Sequence, residues 1–315
     1  MGCGLFNVKM RTFIKKLSIV DHLYFFTLAV VFLFYLVAFK ETPYKRAVPL
    51  VFLGLIAMLV TMIHLRGKNS LGNWQPVLSV LYAAVFIAGI FETFFMIISY
   101  FNPARYDELM AAIDLWILGV NPTVWFEHFV HPVVTELFYA LYIIYFPMPF
   151  FIITWLFRKK KFKELAEAIF ILSFTYLGAD LIYFFVPVQG PRYFLKHLQT
   201  VSLDGIVLAE PIRDLINFFE PNKLDAFPSL HTSIVLTVLA LCYRHNRRLF
   251  HVFVPLSAGI LISLVYCRYH YFIDMVAGSV WFVFAYFTSV ALFKKFNPRC
   301  YPHFGIEIMK ENEKD

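Results

Sequence analysis

Long apolar runs alternate with short polar connections along most of this chain. A membrane-spanning helix needs about 20 predominantly apolar residues. Eight stretches meet or approach that length: 19–39, 47–65, 76–101, 133–157, 165–187, 229–245, 250–267 and 272–293. The sixth and seventh are short, and almost nothing separates the seventh from the eighth. The pattern predicts an all-α polytopic membrane helix bundle of about eight transmembrane helices. Between the third and fourth, PARYDELMAAIDLWILGV (103–120) places Leu109, Ile113, Trp116, Ile117 and Val120 on one helical face, with Asp107, Glu108 and Asp114 largely off it. Such a segment reads either as a helix lying in the outer interface or as a loop helix packed on the bundle. Pro187, Gly190 and Pro191 end the fifth span sharply, and a long outer loop then runs to residue 228.

Composition agrees with the pattern. Of the 315 residues, 60% are hydrophobic and 16% charged, with a mean hydropathy of +0.68; soluble domains average about 45–50% apolar and about 25% charged. The net charge of +7 raises the question of a nucleic-acid partner, and its distribution answers it. With the N-terminus inside, 19 of the 28 Lys and Arg fall in the cytoplasmic loops and tail, RKKKFK (158–163) being the densest run. The positive-inside rule accounts for that bias, so nucleic acid is not expected as a partner. Trp116 and Trp125 at the outer surface, with Trp74 and Trp155 at the inner, fit aromatic belts. The basic start KMRTFIKK leads into a run too long for a signal-peptide core, so the first span is expected to be retained. MGCG lacks the Ser or Thr that myristoylation requires at position 6, where Phe6 stands. Cys3, Cys242, Cys267 and Cys300 are scattered over both sides of the membrane and imply no disulfide framework.

In this topology three polar stretches reach the same outer surface. VPVQGPRYF (186–194) closes the fifth span, AFPSLHTS (226–233) opens the sixth, and CRYHYFIDMVAG (267–278) joins the seventh to the eighth. Singly, each has a structural reading: His231 as a helix-start residue, Arg192 as a snorkelling cation, His270 and Asp274 as a hydrogen-bonded pair. Together they supply a nucleophile, an acid, an orienting carboxylate and anion clamps, an inventory suited to phosphoryl transfer. His270 and Asp274, four apart at a helix start, face the same way. The carboxylate can then fix the imidazole tautomer while the other ring nitrogen attacks phosphorus. His231 can protonate the leaving oxygen. Arg192 and Arg268 can clamp phosphate oxygens, and Ser229 stands at a helix N-terminus whose backbone N–H groups face an anion.

The order and spacing of these residues resemble the type 2 phosphatidic acid phosphatase superfamily, whose motifs are K-x6-R-P, P-S-G-H and S-R-x5-H-x3-D. PSLH (228–231) answers the second, and His270 with Asp274 the third. GPRYF, AFPSLH and HYFIDMVAG look most similar to the inositol-phosphorylceramide synthase branch and its bacterial relatives. The resemblance covers about 76–293 and implies a six-helix catalytic core there. Residues 1–75 would add two helices, and 294–315 would form a cytoplasmic tail. It further implies a phosphohistidine on His270, supported by Asp274 with His231 as acid, in a reaction without metal or cofactor. Three positions depart from the pattern: Phe185 replaces the first motif's lysine, Leu230 the glycine and Leu264 the arginine, although Ser263 matches. Arg268 and Lys196 are the candidate substitutes for the missing phosphate ligands.

Three carboxylates within the spans, Glu92, Glu136 and Asp180, either line the cavity and bind headgroup hydroxyls or hydrogen-bond between helices. EHFVH (127–131) suggests a metal site but offers no third ligand of clear spacing. The expected substrate is a phospholipid or lipid phosphate in the bilayer. A headgroup transferase and a lipid phosphate phosphatase share one intermediate. A metallohydrolase built on His231, His270 and Asp274, a transporter and a noncatalytic membrane protein are the competing classes. Transport favours polar residues near the midplane on broken or repeated helices, whereas these gather at one surface. The compact length and the resemblance point to a bacterial inner membrane with the site facing the periplasm, or the luminal side in a eukaryotic cell.

Overall fold

The computed structural model describes residues 17–67, 71–219 and 224–296. MGCG, the basic start, Cys3, Cys300 and the tail beyond 296 lie outside the described residues. Eleven helices of eight or more residues carry the described fold: α1 Ile19–Ala38, α2 Ala47–Gly67, α3 Gln75–Phe101, α4 Asp107–Leu118, α5 Pro132–Ile144, α6 Met148–Arg158, α7 Phe162–Tyr183, α8 Ala209–Phe219, α9 Leu230–His245, α10 Arg247–Tyr266 and α11 Phe272–Phe296. No strand occurs among the described residues. A lone parallel bridge joins Val188 to Asp225.

Six of the eight predicted spans are single helices long and apolar enough to cross a membrane: α1, α2, α3, α7, α10 and α11. The predicted span 133–157 is two helices, α5 and α6, meeting at 42°. Pro147 and Pro149 lie at this break, where a proline removes a backbone donor and crowds the preceding turn. The sixth span, α9, has only 16 residues. It is sheltered, packing against α6, α7, α10 and α11. The pair Asp107–Leu118 and Pro122–Phe129 bends by 67° at Gly119, whose φ of 71° ends α4 in the left-handed conformation.

The most buried span is α7, which contacts α1, α3, α6, α9 and α11. Within a bilayer, close helix approach rests on small residues and interhelical hydrogen bonds rather than on escape from water. Gly178 allows the α11 side chain Trp281 to lie against α7, since a Cβ there would come within 2.3 Å of the indole. The indole Nε1–H donates to the Thr175 carbonyl at 3.0 Å. The two N-terminal helices stack on α3, and α1 also touches α7. Their predicted cytoplasmic ends are tied by a buried ion pair, Arg66 to Asp21 at 2.8 Å, to which Tyr82 adds a hydroxyl donor at 3.0 Å.

Candidate active site

The connection between α10 and α11 is built from a helix ending. Arg268 N–H donates to the Val265 carbonyl and Tyr269 N–H to the Leu264 carbonyl, both at 3.0 Å. This is the Schellman closure, with Arg268 in the left-handed position at φ 64° where glycine is the usual occupant. His270 N–H also reaches the Leu264 carbonyl, at 3.1 Å, which fixes the imidazole just beyond the helix end. The following helix is capped by carboxylates. Asp274 accepts from Tyr271 N–H at 2.8 Å. Asp114, reaching across from α4, accepts from Phe272 and Ile273 N–H at 2.8 Å each.

The other two stretches are pinned to this connection. Arg192 N–H donates to the Arg268 carbonyl at 2.9 Å, Ser229 N–H to the Asp274 carbonyl at 2.9 Å, and Ala226 N–H to the Val188 carbonyl at 3.1 Å. Gly190, at φ 99°, lies so close to the Tyr269 carbonyl that a Cβ would stand 2.8 Å from it. Asp107 accepts from Gln189 and Gly190 N–H and, at 3.1 Å, from the Tyr271 hydroxyl. Helix α4 therefore turns both aspartates inward, where they are buried, and leaves Leu109, Trp116 and Ile117 exposed. The apolar face predicted for this segment looks away from the protein, and its acids hold the site together.

At the centre, His231 Nδ1 lies 3.1 Å from His270 Nε2. His270 Nδ1 is 2.9 Å from the Ala226 carbonyl and 3.4 Å from Asp274 Oδ2. A carbonyl can only accept, so the proton on His270 belongs on Nδ1 and its Nε2 presents a lone pair. That lone pair is satisfied if His231 carries its proton on Nδ1. His231 Nε2 must then accept, and the Tyr142 hydroxyl stands 2.9 Å away as its donor. One tautomeric assignment thus satisfies the whole row from Tyr142 to Ala226. Burial pushes the His270 imidazole down to about 4, against the pull of the Asp225 charge and the Ala226 carbonyl, so the ring is neutral near pH 7. Tyr142 and the Ala226 carbonyl were not legible as site groups in the sequence: a tyrosine on an apolar helix and a backbone oxygen carry no motif.

The predicted phosphate ligands are placed unequally. Arg192 lies over the Tyr269 ring at 4.4 Å and donates to Asn217 and to the Tyr193 hydroxyl at 3.0 Å each. Arg268 is held by Glu127 at 2.8 Å and by the Val201 carbonyl at 2.7 Å; burial lowers its pKa and Glu127 opposes that. Both arginines line a polar pocket of about 30 Å³ together with Tyr142, Gln189, Asp225, His231 and His270. Ser229 is buried beside this pocket as the α9 N-cap, accepting from Thr232 N–H at 3.2 Å. Lys196 is exposed and does not line it.

Of the three membrane carboxylates, Glu92 is exposed on α3. Glu136 accepts from the backbone N–H groups of Ile206, Val207, Leu208 and Ala209 at the start of α8. Asp180 is buried, and neither of its oxygens has a hydrogen-bond partner. In EHFVH the groups serve separate ends: Glu127 pairs with Arg268, His128 Nδ1 bonds the Trp125 carbonyl at 2.8 Å, and His131 caps α5 through Val133 N–H at 3.3 Å.

A family model described as the PAP2 superfamily matches residues 111–288, more than half of the chain. The chain belongs to the PAP2 superfamily. The matched range begins within α4, ends within α11 and includes all three site stretches, as well as Tyr142 and Asp114. No curated protein and no solved structure matches the chain significantly. Members of the PAP2 superfamily are generally phosphatases or phosphotransferases, and this PAP2 protein is an integral membrane enzyme of that type, acting on lipid phosphates.

Proposed function

We propose that this PAP2 protein cleaves a phosphoester of a membrane lipid through a phosphohistidine on His270 and passes the phosphorylated headgroup to a hydroxyl acceptor. In this it resembles the inositol-phosphorylceramide synthase-type headgroup transferases. The observation that carries the reading is the 3.1 Å contact between His231 Nδ1 and His270 Nε2, which sets an acid proton beside a nucleophilic lone pair. In the first step Nε2 bonds to phosphorus as the ester P–O bond breaks. The departing electron pair stays on the lipid oxygen, which takes the Nδ1 proton of His231. The His270 Nδ1–H remains on the Ala226 carbonyl, and the nearby Asp274 carboxylate offsets the positive charge the ring acquires. In the second step the acceptor hydroxyl returns a proton to His231, its oxygen bonds to phosphorus, and the P–Nε2 bond breaks.

Arg192 and Arg268 are the groups placed to neutralise phosphate oxygens. A pocket of about 30 Å³ is near the share of liquid volume of one water, so phosphate binding requires the histidines to separate and Arg268 to exchange Glu127 for the ligand. Side chains fill every role in this scheme, so the reaction needs no metal. The site faces the extracytoplasmic side, the periplasm in a bacterial inner membrane.

The test uses purified full-length protein and radiolabelled phospholipids, with and without lipid alcohols, in the presence of a strong chelator. The expected result is label in a new lipid, abolished in His270→Ala and His231→Ala. Release of water-soluble label instead identifies a phosphatase. Unchanged turnover in both histidine variants removes the phosphohistidine scheme, and loss of activity in chelator removes its metal independence.

A further inference from the structure

Arg268 has a counterion that is not part of the pocket it lines. Its backbone is fixed: the residue holds the left-handed conformation at φ 64°, its N–H bonds the Val265 carbonyl at 3.0 Å, and its own carbonyl accepts from Arg192 N–H at 2.9 Å. Only the side chain is free to respond to a ligand. Arg268 is 9% exposed, and its Nη2 donates to Glu127 Oε1 at 2.8 Å and to the Val201 carbonyl at 2.7 Å. Its Nε–H is buried without an acceptor, and so is the Nε–H of Arg192. Buried donors in that state are costly until an acceptor reaches them. Two of them, on guanidinium groups lining one pocket, call for an anion.

Glu127 belongs to the short turn Phe126–Phe129 ahead of α5 and does not line the pocket. Besides Arg268 it accepts from Thr200 N–H at 3.0 Å, from the Thr200 hydroxyl at 2.9 Å and from Val201 N–H at 3.4 Å. These donors remain when Arg268 leaves, so the carboxylate is not stranded by the exchange. Nor is the Val201 carbonyl, because Val201 is 38% exposed and water can take the place of the guanidinium. Arg268 in turn gives up one carboxylate oxygen and one neutral acceptor for the several charged oxygens of a phosphate. In the empty site the balance is reversed. A buried guanidinium stripped of its counterion is strongly destabilised, and Glu127 prevents that. With Asp225 also in the pocket wall, two carboxylates stand against two arginines, and the resting site is close to neutral.

We propose that Glu127 is a positioning residue that competes with phosphate for Arg268 and so sets how tightly the site holds a phosphorylated ligand. This rests on the reading of Arg268 as a phosphate ligand. Before phosphate arrives, Glu127 keeps the guanidinium in the pocket wall as its counterion. When phosphate binds, Glu127 yields the guanidinium and keeps Thr200 and Val201. When the phosphorylated group departs, it takes Arg268 back. Glu127 itself forms no bond to phosphorus and moves no proton; it acts only through Arg268. Ground-state affinity beyond what binding requires lowers KM without raising kcat, and Glu127 holds that affinity down.

The probe is inorganic phosphate, titrated calorimetrically into the full-length protein in lipid nanodiscs, so that binding is read without turnover. Glu127→Gln keeps the shape and an acceptor oxygen for Thr200 but removes the charge. A hydrogen bond to a charged group typically changes an equilibrium by about tenfold or more, and the phosphate Kd is expected to fall by about that factor. Thr200→Val, at an exposed position, takes one donor from Glu127 without changing any charge. Glu127 then holds Arg268 more tightly, and Kd is expected to rise about threefold, which separates exchange at Arg268 from general electrostatics. In label transfer, Glu127→Gln should lower KM for the lipid phosphate and leave kcat no higher. If Glu127 serves only to hold Arg268 in place, its glutamine variant binds phosphate more weakly and KM rises. That result, an unchanged Kd in either folded variant, or no phosphate binding by wild type and Glu127→Gln alike, overturns the proposal. Should Glu127→Gln fail to fold, the Kd of Thr200→Val decides alone. Tighter phosphate binding in Glu127→Gln, with no lipid turned over by wild type, keeps the competition for Arg268 and removes the phosphotransfer reading.

Discussion

Replacing Tyr142 by phenylalanine tests the hydrogen-bonded row on which the mechanism depends. The hydroxyl donates to His231 Nε2 at 2.9 Å, and that donor keeps the His231 proton on Nδ1, opposite the His270 lone pair. Phenylalanine preserves the ring, which stacks on Tyr269 with centroids 4.6 Å apart and lies 5.1 Å from the His231 ring, so packing is conserved. What is lost is the preference for one tautomer. Once the proton moves to Nε2, two lone pairs face each other across 3.1 Å and the acid no longer points at the reaction. A neutral hydrogen bond contributes about 0.5–1.5 kcal/mol. At about 1.4 kcal/mol per factor of ten, kcat/KM should fall roughly two- to tenfold with little change in unfolding temperature. The assay is label transfer by both proteins across pH 5 to 9. Because the hydroxyl acts through His231, the pH profile should change shape, which lost packing alone would not produce. An unchanged rate and superimposable profiles would refute the tautomer assignment. A loss of a thousandfold or more would instead make Tyr142 a participant in proton transfer.

Two further outcomes follow from the same geometry. The His270 ring, pushed down to about 4 by burial, is neutral in the folded protein at a pH where an unfolded histidine near 6.5 already binds a proton. The unfolded state therefore gains protons first as pH falls from about 6.5 to 4, and stability is lost over that window by up to about 3 kcal/mol. Thermal unfolding of wild type minus His270→Asn should show this slope below pH 6.5 and none above it. Asp114→Ala removes both carboxylate hydrogen bonds at the start of α11 and should cost about 2–3 kcal/mol. Activity should fall with it, because Asp274 rides on that first turn; Asp114→Asn, which retains an acceptor oxygen, should lose less of both in unfolding and transfer measurements.

The parts of the site that were legible in the sequence are those whose chemistry is rare in a membrane. A histidine, an arginine or an aspartate among apolar residues is conspicuous, and hydropathy alone put three such stretches on one surface. His231 and His270 do meet there. The phosphate ligands were harder to read, because a side chain's partner lies outside its own segment. Arg268 stands in the pocket wall but is held by Glu127, from a stretch that suggested metal binding, while Lys196 is exposed and does not line the pocket. Asp107 and Asp114 were visible as acids two turns apart on one helix. Their inward direction was not, since periodicity separates the two faces of a helix without saying which one meets protein.

Span lengths, the excess of basic residues on one side and the motif spacing are properties of the chain taken locally. They determined a polytopic helical bundle and the histidines to watch. Only the packed structure decided that the predicted fourth span breaks at its prolines and that a carbonyl, with Asp274 farther off, is the nearest acceptor for His270. It alone placed Tyr142 behind His231, and Glu127 against Arg268. Each of these is a distance between residues far apart in sequence, and such distances exist only once α5, α7, α9 and α11 have packed together.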